Sequence, residues 1–341
     1  MSNIANIMGM AASYRLTGGS YLVTGRNYSG ASGSTPSVFL LDHTTPGTLS
    51  IAGSASLVYT TGPTYSLDWS PDGNYVIQGA DTSARLYSAS GGSISLSSTY
   101  SAPGEKLRAS FYQDGGNGDW IAVGQENSNR FTILDHQVPG TIAFERAPSM
   151  TRTGTATAWS PDGNWIGFGR ASTDNNQFFY LYDARTNPSN PSNIDTYGET
   201  ASTFNNVNAI SFTPDGAYIA IAHQNGDGLT LLSNSSGTLS KATSYNMATP
   251  YDVDFRKDGK YLVAATGGTG YIFSHTAGSL SLASTISGAG TYCCYMGGDY
   301  IAFTNNSGVS LYNVSDPTNP TLSTTLTVDN NNLSFIAASP N

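Results

Sequence analysis

The chain has 341 residues, of which only 11% are charged, and 23 acidic residues outweigh 14 basic residues for a net charge of −9. Binding to a nucleic acid backbone or an anionic membrane needs clustered Lys and Arg, and the scattered basic residues of this sequence make neither partner expected. No apolar run reaches the ~18 residues of a membrane span, and no signal-peptide pattern is present, so membrane insertion is not expected. The aromatic content of 11% indicates a folded chain, and the abundant Gly, Ser, Thr and Asn indicate short strands and many turns.

A turn motif repeats along the chain and sets its period. Ser-Pro-Asp-Gly-Asn-Tyr at residues 70–75 recurs closely at 160–165 and 213–218, and more loosely at 256–261. Pro pre-sets φ, Asp bonds the backbone and Gly takes a positive φ, which makes the motif a tight turn. With three weaker copies there are seven units of about 40 to 50 residues, the period of a propeller blade. The aromatic residues that close the seven copies are Tyr21, Tyr75, Trp120, Trp165, Tyr218, Tyr261 and Tyr300.

Each unit reads as four antiparallel strands. In the second unit an alternating segment at 65–69 leads into the turn, strands follow at 75–77 and 85–87, and a Ser/Thr-rich strand at 93–96 ends the unit. Four antiparallel strands at this spacing make one blade. The sequence therefore predicts an all-β fold, a seven-bladed β-propeller that spans residues 1–341 as a single domain. Either residues 10–16 or the tail at 333–341 is expected to complete the first blade.

The turn motif also resembles a known group of proteins. The segment Leu67–Val76 resembles the Trp-Ser-Pro-Asp-Gly turn of the WD-repeat-like propellers, including those of prokaryotes and their viruses. Asp42, Asp135 and Asp183 resemble the Asp of the Trp-Asp dipeptide, and residues 157–166 are similar to serial repeats of bacteriophage propellers. The Gly-His pair of the eukaryotic repeats is absent from every unit, which points away from eukaryotic-style signalling scaffolds. The resemblance implies the fold over the whole chain.

Histidine and cysteine side chains offer no evident metal or redox site. His43, His136 and His275 each follow a third strand but belong to different blades, so turn roles are expected rather than zinc binding. Cys293 and Cys294 are neighbours on a strand and point to opposite faces, so both are expected in the core. Cys294 aligns with the large core residues of other blades, namely Trp69, Trp159, Phe212 and Phe255.

Acidic residues on the first strand of a blade are the candidates for catalysis. Asp68 and Asp254 occupy the same position, and Asp252 precedes Asp254 by two residues. Paired carboxylates can serve glycoside hydrolysis, but they can also line a wet channel or bond backbone groups of the next blade, which is the preferred interpretation. The Asp-Asn runs at 174–176 and 329–332 lack the spacing of a calcium loop. Neither a cofactor nor a metal is expected.

These observations predict a non-enzymatic structural or attachment protein, a phage virion component of the tail or surface. Its expected partners are other virion proteins or a host surface receptor, bound through protein or glycan contacts. One alternative is a bacterial intracellular propeller, located in the cytoplasm, that acts as a scaffold for protein interactions. A further alternative is a glycan-active enzyme that uses the channel carboxylates.

Long loops are the candidate contact sites, because length beyond a minimum turn costs ordering entropy and usually has a use. Insertions at 26–36 and 171–176 are expected on the side opposite the Pro-Asp-Gly turns, and one at 185–193 on the same side as those turns. Tyr28 is the expected aromatic anchor. The candidate contact residues are Asn27, Tyr28, Ser29, Asp174, Asn175, Asn187 and Asn190.

Overall fold

The computed structural model describes residues 21–26, 36–56, 63–112, 118–126, 131–148, 154–172, 177–198, 205–224, 226–305, 308–328 and 333–340. All regular structure in these residues is β-strand, and none of them forms a helix that could cross a membrane. The strands of the first half are β1 (Tyr21–Arg26), β2 (Pro36–Asp42), β3 (Ser50–Ser56), β4 (Thr64–Trp69), β5 (Tyr75–Ser90), β6 (Ser93–Phe111), β7 (Trp120–Gln125), β8 (Phe131–Asp135), β9 (Ala143–Arg146), β10 (Gly154–Trp159), β11 (Trp165–Ser172), β12 (Gln177–Asp183) and β13 (Ser192–Gly198). Those of the second half are β14 (Asn205–Phe212), β15 (Tyr218–His223), β16 (Gly228–Ser235), β17 (Thr238–Asn246), β18 (Asp252–Phe255), β19 (Tyr261–Ala265), β20 (Thr269–Thr276), β21 (Ser279–Ser287), β22 (Tyr292–Tyr295), β23 (Tyr300–Thr304), β24 (Gly308–Asn313), β25 (Thr321–Thr327) and β26 (Leu333–Ala338).

The strands form antiparallel sheets whose basic unit has four strands. β18 to β21 form one such sheet and β22 to β25 another, each in chain order. β10 to β13 and β14 to β17 repeat that order and are joined only by the pairs Ala171 with Asn206 and Ser172 with Asn205. β5 and β6 are longer because the two halves of each strand pair with different neighbours. The predicted all-β class and four-stranded antiparallel unit are confirmed.

The C-terminal strand completes the first sheet, whose order is β26-β1-β2-β3. β26 pairs antiparallel with β1 from Leu22 opposite Ala338 to Arg26 opposite Leu333. The indole Nε1 of Trp69, on β4, also donates to the carbonyl of Ala337 at 3.1 Å. The tail therefore fills the first-strand position of this sheet, and the competing segment at 10–16 lies outside the described residues.

The first strand of each four-stranded unit contacts the first strand of the next unit. The sequence of contacts runs from β26 to β4, the end of β6, β10, β14, β18 and β22, and then back from β22 to β26. We call these the innermost strands and the space that they enclose the central channel. This closed circle brings residues from distant parts of the chain together around one axis.

Each Pro-Asp-Gly turn is held by its own polar side chains. Ser70 Oγ donates to Asp72 Oδ1 at 2.5 Å and accepts the N–H of Tyr75 at 2.9 Å. Gly73 has a φ of 72°, which glycine adopts without steric cost. Equivalent bonds hold the turns at Ser160 and Thr213. Each aromatic of the repeat occupies the first position of a strand, at Tyr21, Tyr75, Trp120, Trp165, Tyr218, Tyr261 and Tyr300.

The core lies between neighbouring sheets. Leu22 and Leu41 of the first sheet pack with Cys294 and Leu311 of the last, while Cys293 lies in the cluster on the other side of β22. Both cysteines are buried and unbonded to each other. The predicted burial and opposite orientation of the cysteines are confirmed.

The predicted alignment of Cys294 is wrong by one residue. Tyr295 pairs with Ile301 just as Trp69 pairs with Val76, so Tyr295 occupies the position of the large core residues. The slip arises because this turn has one residue fewer, so that the N–H of Met296 already bonds the carbonyl of Tyr300. Cys294 instead takes the position equivalent to Asp68.

Removal of β26 tests its role in closing the circle. Deletion of residues 333–341 leaves β1 as an open edge and removes the buried side chains of Leu333 and Ile336, each contributing roughly 1.5–3 kcal/mol. We expect the thermal unfolding midpoint, followed by circular dichroism, to fall by about 10 °C or more. A synthetic peptide of residues 333–341 added in excess should restore much of that loss. An unchanged midpoint would contradict the closing role of β26.

Candidate functional site

Polar side chains on the innermost strands bond to the backbone of the next strand around the channel. The penultimate residue of β4 is Asp68, whose Oδ2 accepts the N–H of Phe111 at 2.8 Å. Buried backbone N–H groups need such partners. Three further N–H groups are satisfied in the same way: Trp159 by Ser110 at 3.2 Å, Phe255 by Ser211 at 3.0 Å and Tyr295 by Asp254 at 2.8 Å.

Asp68 is held by two additional bonds. Ser110 Oγ donates to its Oδ2 at 3.0 Å, and the N–H of Trp69 donates to its Oδ1 at 2.9 Å. The side chain is half-buried, as expected for a group that lines a narrow channel and is surrounded by protein. Burial raises the pKa of Asp68 to about 6, although the bonds from Phe111 and Ser110 oppose the shift.

Asp252 and Asp254 place a pair of carboxyls on the same face of β18, because residues two apart on a strand point to the same side. Asp252 Oδ2 accepts the N–H of Cys293 at 3.0 Å, and its Oδ1 accepts the N–H of Val253 at 3.0 Å. Asp254 Oδ1 also accepts a long bond of 3.4 Å from Ser211 Oγ. The backbone of β22 thus fixes both carboxyls.

The two carboxyls are hard to ionise. Burial raises the pKa of Asp252 to about 8, and the negative charge of Asp254 adds to the shift. Burial also raises the pKa of Asp254 to about 7, with a further contribution from the charge of Asp68. Each of these carboxyls therefore changes charge within the neutral range, where acid–base catalysts work best.

Lys257 stands at the Pro-Asp-Gly end of the channel. It replaces the Pro of the other turns, and its Nζ donates to the carbonyl of Pro340 at 2.6 Å. Burial lowers the pKa of Lys257, and the negative charge of Asp254 works in the opposite direction. The lysine therefore links the last described residues of the chain to the carboxyl cluster.

Several charged side chains and one aromatic ring lie together at the opposite end of the channel. Arg108 lies over the ring of Tyr65, with 4.8 Å from the guanidinium carbon to the ring centroid, and the Tyr65 hydroxyl donates to Asp81. Glu126 accepts from Arg108 at 3.0 Å and from Lys106 at 3.3 Å. Both cations are therefore engaged with one carboxylate.

Two of the seven predicted contact residues lie in the described part of the chain. Asn27, Tyr28, Ser29, Asp174 and Asn175 lie outside the described residues. Asn187 and Asn190 are exposed on the turn between β12 and β13, where Asn187 Oδ1 accepts the N–H of Ser189 at 3.1 Å. Partner binding by these residues stays a prediction.

The histidines hold neighbouring sheets together. His43 contacts Tyr300, His136 contacts Tyr75, and His275 contacts Tyr218, at ring-centroid distances of 5.1, 4.9 and 4.9 Å. The described part of the chain contains no cluster of His, Cys, Asp or Glu suited to a metal ion. The histidines thus have packing and turn roles in this structure.

Comparison with known proteins adds a family match and structural relatives. A model of the WD domain, G-beta repeat, matches residues 55–88. No curated protein matches the chain. Among solved structures, a protein of Bacteroides uniformis provisionally assigned as a 6-phosphogluconolactonase has a TM-score of 0.75 at 17% identity and covers 92% of this chain and 98% of its own. A periplasmic gluconolactonase of Pseudomonas aeruginosa has a TM-score of 0.72 at 14% identity, with coverages of 94% and 98%.

These matches and the sheet topology show that the chain is a WD-repeat-like β-propeller. They also correct three predictions: that the protein is a phage virion component, that it is not an enzyme, and that it is located in a virion. Three of the structural relatives carry lactonase names: the two proteins described above and a further provisional 6-phosphogluconolactonase, from Bacteroides fragilis. One of the three is described as periplasmic. The error arose because the Pro-Asp-Gly repeat builds the fold and carries no functional information.

Sequence reasoning identified the three channel carboxyls but not their surroundings. Lys257 follows Asp254 by three residues and Tyr65 precedes Asp68 by three, whereas Arg108 comes near Asp252 only through the contacts between different units. One signal was available in the sequence, since Lys257 occupies a position where three other turns have Pro.

The raised pKa values predict a pH-dependent stability. The folded-state pKa values of Asp68, Asp252 and Asp254 lie above the unfolded value of 3.8. The three carboxyls therefore make their full contribution to the free energy of unfolding below about pH 4, and this contribution is lost as pH rises to about 8. We expect the Asp252→Asn, Asp254→Asn double variant to gain stability relative to wild type as pH rises from 5 to 8, measured by urea unfolding. Asp316→Asn, on an exposed turn, serves as the control without this trend. If the free energies of unfolding of the double variant and wild type differed by a constant amount from pH 5 to 8, the raised pKa values would be wrong.

Proposed function

We propose that this chain is a hydrolase of sugar lactones, with Asp252 and Asp254 supplying acid–base chemistry in the central channel. The solved structures that share its fold over 92% or more of the chain include a gluconolactonase and proteins provisionally assigned as 6-phosphogluconolactonases. This proposal develops the enzyme alternative that uses channel carboxylates and replaces glycoside hydrolysis by lactone hydrolysis.

The observation that carries the proposal is the carboxyl pair itself. Asp252 and Asp254 lie on one face of β18, and their pKa values are raised to about 8 and about 7. Two coupled carboxyls of this kind give up their protons in two steps. Near neutral pH one member of the pair is a carboxylate and the other keeps its proton, which is the state that a base and an acid require.

The bonds between neighbouring innermost strands do not require carboxyl groups. Ser110 and Ser211 make the same bond to the next strand that Asp68 and Asp254 make. A serine hydroxyl satisfies the N–H group without placing an ionisable group in a poorly hydrated site, which is costly. Titratable groups with perturbed pKa values are enriched at functional sites.

The chemistry of lactone opening fits this pair. The carboxylate accepts a proton from water as the water oxygen bonds to the lactone carbonyl carbon. When the tetrahedral intermediate collapses, the bond between that carbon and the ring oxygen breaks, and the carboxylic acid gives its proton to the departing oxygen. One water and one lactone yield one hydroxy acid, and proton exchange with solvent restores the pair. The N–H groups of Cys293 and Tyr295 hold the carboxyls in place.

We also infer that the sheets make seven blades closed into a ring. The inference is supported by the circle of innermost strands, which has seven members, and by β5 and β6, whose halves pair with different neighbours. Counted in this way, the six-stranded and eight-stranded sheets are each two adjoining blades. A ring of this kind leaves no open innermost edge.

Substitution of the pair tests the hydrolase. We expect Asp252→Asn and Asp254→Asn each to lower kcat/KM for a gluconolactone by at least about 100-fold, the usual contribution of a general acid or base. Hydrolysis is followed by proton release in weakly buffered solution, with the spontaneous rate subtracted.

The control is Asp72→Asn, which changes a carboxylate of a Pro-Asp-Gly turn outside the channel. It should keep the wild-type kcat/KM. Wild-type protein that does not exceed the spontaneous rate with any sugar lactone would refute the proposal, as would full activity in both channel variants.

A further inference from the structure

Aromatic side chains gather where the innermost strands begin, at the end of the channel opposite the Pro-Asp-Gly turns. We call this set the collar. Its members come from five consecutive units of the circle, either within an innermost strand or just before it: Tyr251, Tyr292, Phe335, Tyr65 and Arg108. The collar adjoins the carboxyl pair, because the charge of Asp252 acts on the hydroxyl of Tyr292.

Collar residues of neighbouring units contact each other in two pairs. The rings of Tyr292 and Phe335 lie 4.3 Å apart between centroids, with an interplanar angle of 34°. Arg108 covers the ring of Tyr65. Burial raises the pKa of Tyr292 to about 12, and the neighbouring charges of Asp252 and Arg108 influence it in opposite directions. Tyr251 remains 37% exposed, so part of this residue is open to solvent.

Two collar residues sit at irregularities that redirect the chain. The pairing of β26 with β1 shifts register around Phe335, and that of β4 with β5 shifts around Tyr65. Phe335 has a φ of 45°, an outlier for a bulky side chain. The same register shift occurs near the start of β10 and of β14, so the bulge belongs to the repeat and re-aims one side chain at the start of each of these strands. The positive φ of Phe335 is particular to the collar strand, and strain of this kind is concentrated at functional sites.

The charges around the collar disfavour an anionic ligand. The cations Arg108 and Lys106 are both paired with Glu126, and Asp81 accepts from Tyr65. Behind the collar lie the carboxyls of Asp252 and Asp254. A phosphate would have to displace Glu126 and would then face further negative charge as those carboxyls ionise.

We propose that the collar is the binding platform for an uncharged sugar ring, which packs against its aromatic side chains, with Tyr251 as the exposed one, and presents its carbonyl to Asp252. The proposal rests on the lactonase function for the reaction and adds the substrate class, an unphosphorylated lactone. Aromatic walls with a few polar groups are the usual lining of small-ligand sites. The collar fits that description, since its aromatic rings adjoin the carboxyls of the channel.

Binding is measured separately from catalysis with a gluconolactam, a ring analogue that resists hydrolysis, and with its 6-phosphate. By titration calorimetry, we expect wild-type protein to bind the lactam at least tenfold more tightly than the phosphate. Tyr251→Ala and Tyr292→Ala should each weaken lactam binding at least tenfold. Phe144→Ala is the matched control, because Phe144 is an exposed aromatic on the edge strand β9, and it should bind as wild type does.

The outcomes separate the collar from the hydrolase. Lactam binding that depends on Tyr251, without any lactone hydrolysis, would refute the hydrolase and support the collar. Tighter binding of the phosphate, no binding of either probe, or equal losses in the Phe144 and Tyr251 variants would overturn the collar, whether or not lactones are hydrolysed. Circular dichroism of each variant identifies loss of folding, and Tyr251→Ala, at an already exposed position, is the decisive variant if Tyr292→Ala unfolds.

Discussion

Four of the junctions between innermost strands depend on one interaction, the hydrogen bond from the backbone of a strand to a side-chain oxygen of the strand before it. At these junctions the N–H groups on the channel-facing edge of the strand have no strand partner and would otherwise be unsatisfied. Asp68 and Asp254 provide the oxygen in two units, and Ser110 and Ser211 in two others. The same strands line the channel, so two of the side chains that join neighbouring strands, Asp68 and Asp254, are also carboxyls of the candidate site.

Much of the fold could be predicted because the Pro-Asp-Gly turn is a local structure. Its Ser, Asp and Gly act within six residues, as the bonds around Ser70 show, and its recurrence gives the unit length. The prediction failed where the turn departed from its pattern. The shorter turn at Met296 shifted the alignment of Cys294 by one residue, which on a strand exchanges the two faces.

The candidate site was less predictable because its parts are distant in sequence. Asp252 and Asp254 were visible as acidic residues on a predicted strand. The raised pKa of Asp252 reflects burial, which no single strand reveals. The aromatic neighbours Tyr292 and Phe335 meet only when β22 and β26 lie side by side. The absence of a catalytic motif therefore carried no weight against an enzyme, since a channel in a propeller collects its residues from separate repeats.

The pairing of β26 with β1 has a consequence for biogenesis. Leu22 and Ala338 pair directly, and contacts between such distant residues carry a large loop-closure entropy and slow folding. During synthesis β1 leaves the ribosome long before β26 is made, and the backbone groups on the edge that pairs with β26 stay unpaired in the meantime. The first sheet therefore cannot be completed until β26 has been synthesised. Until the tail arrives, the nascent chain exposes a strand edge that a chaperone, or another nascent copy, could pair with.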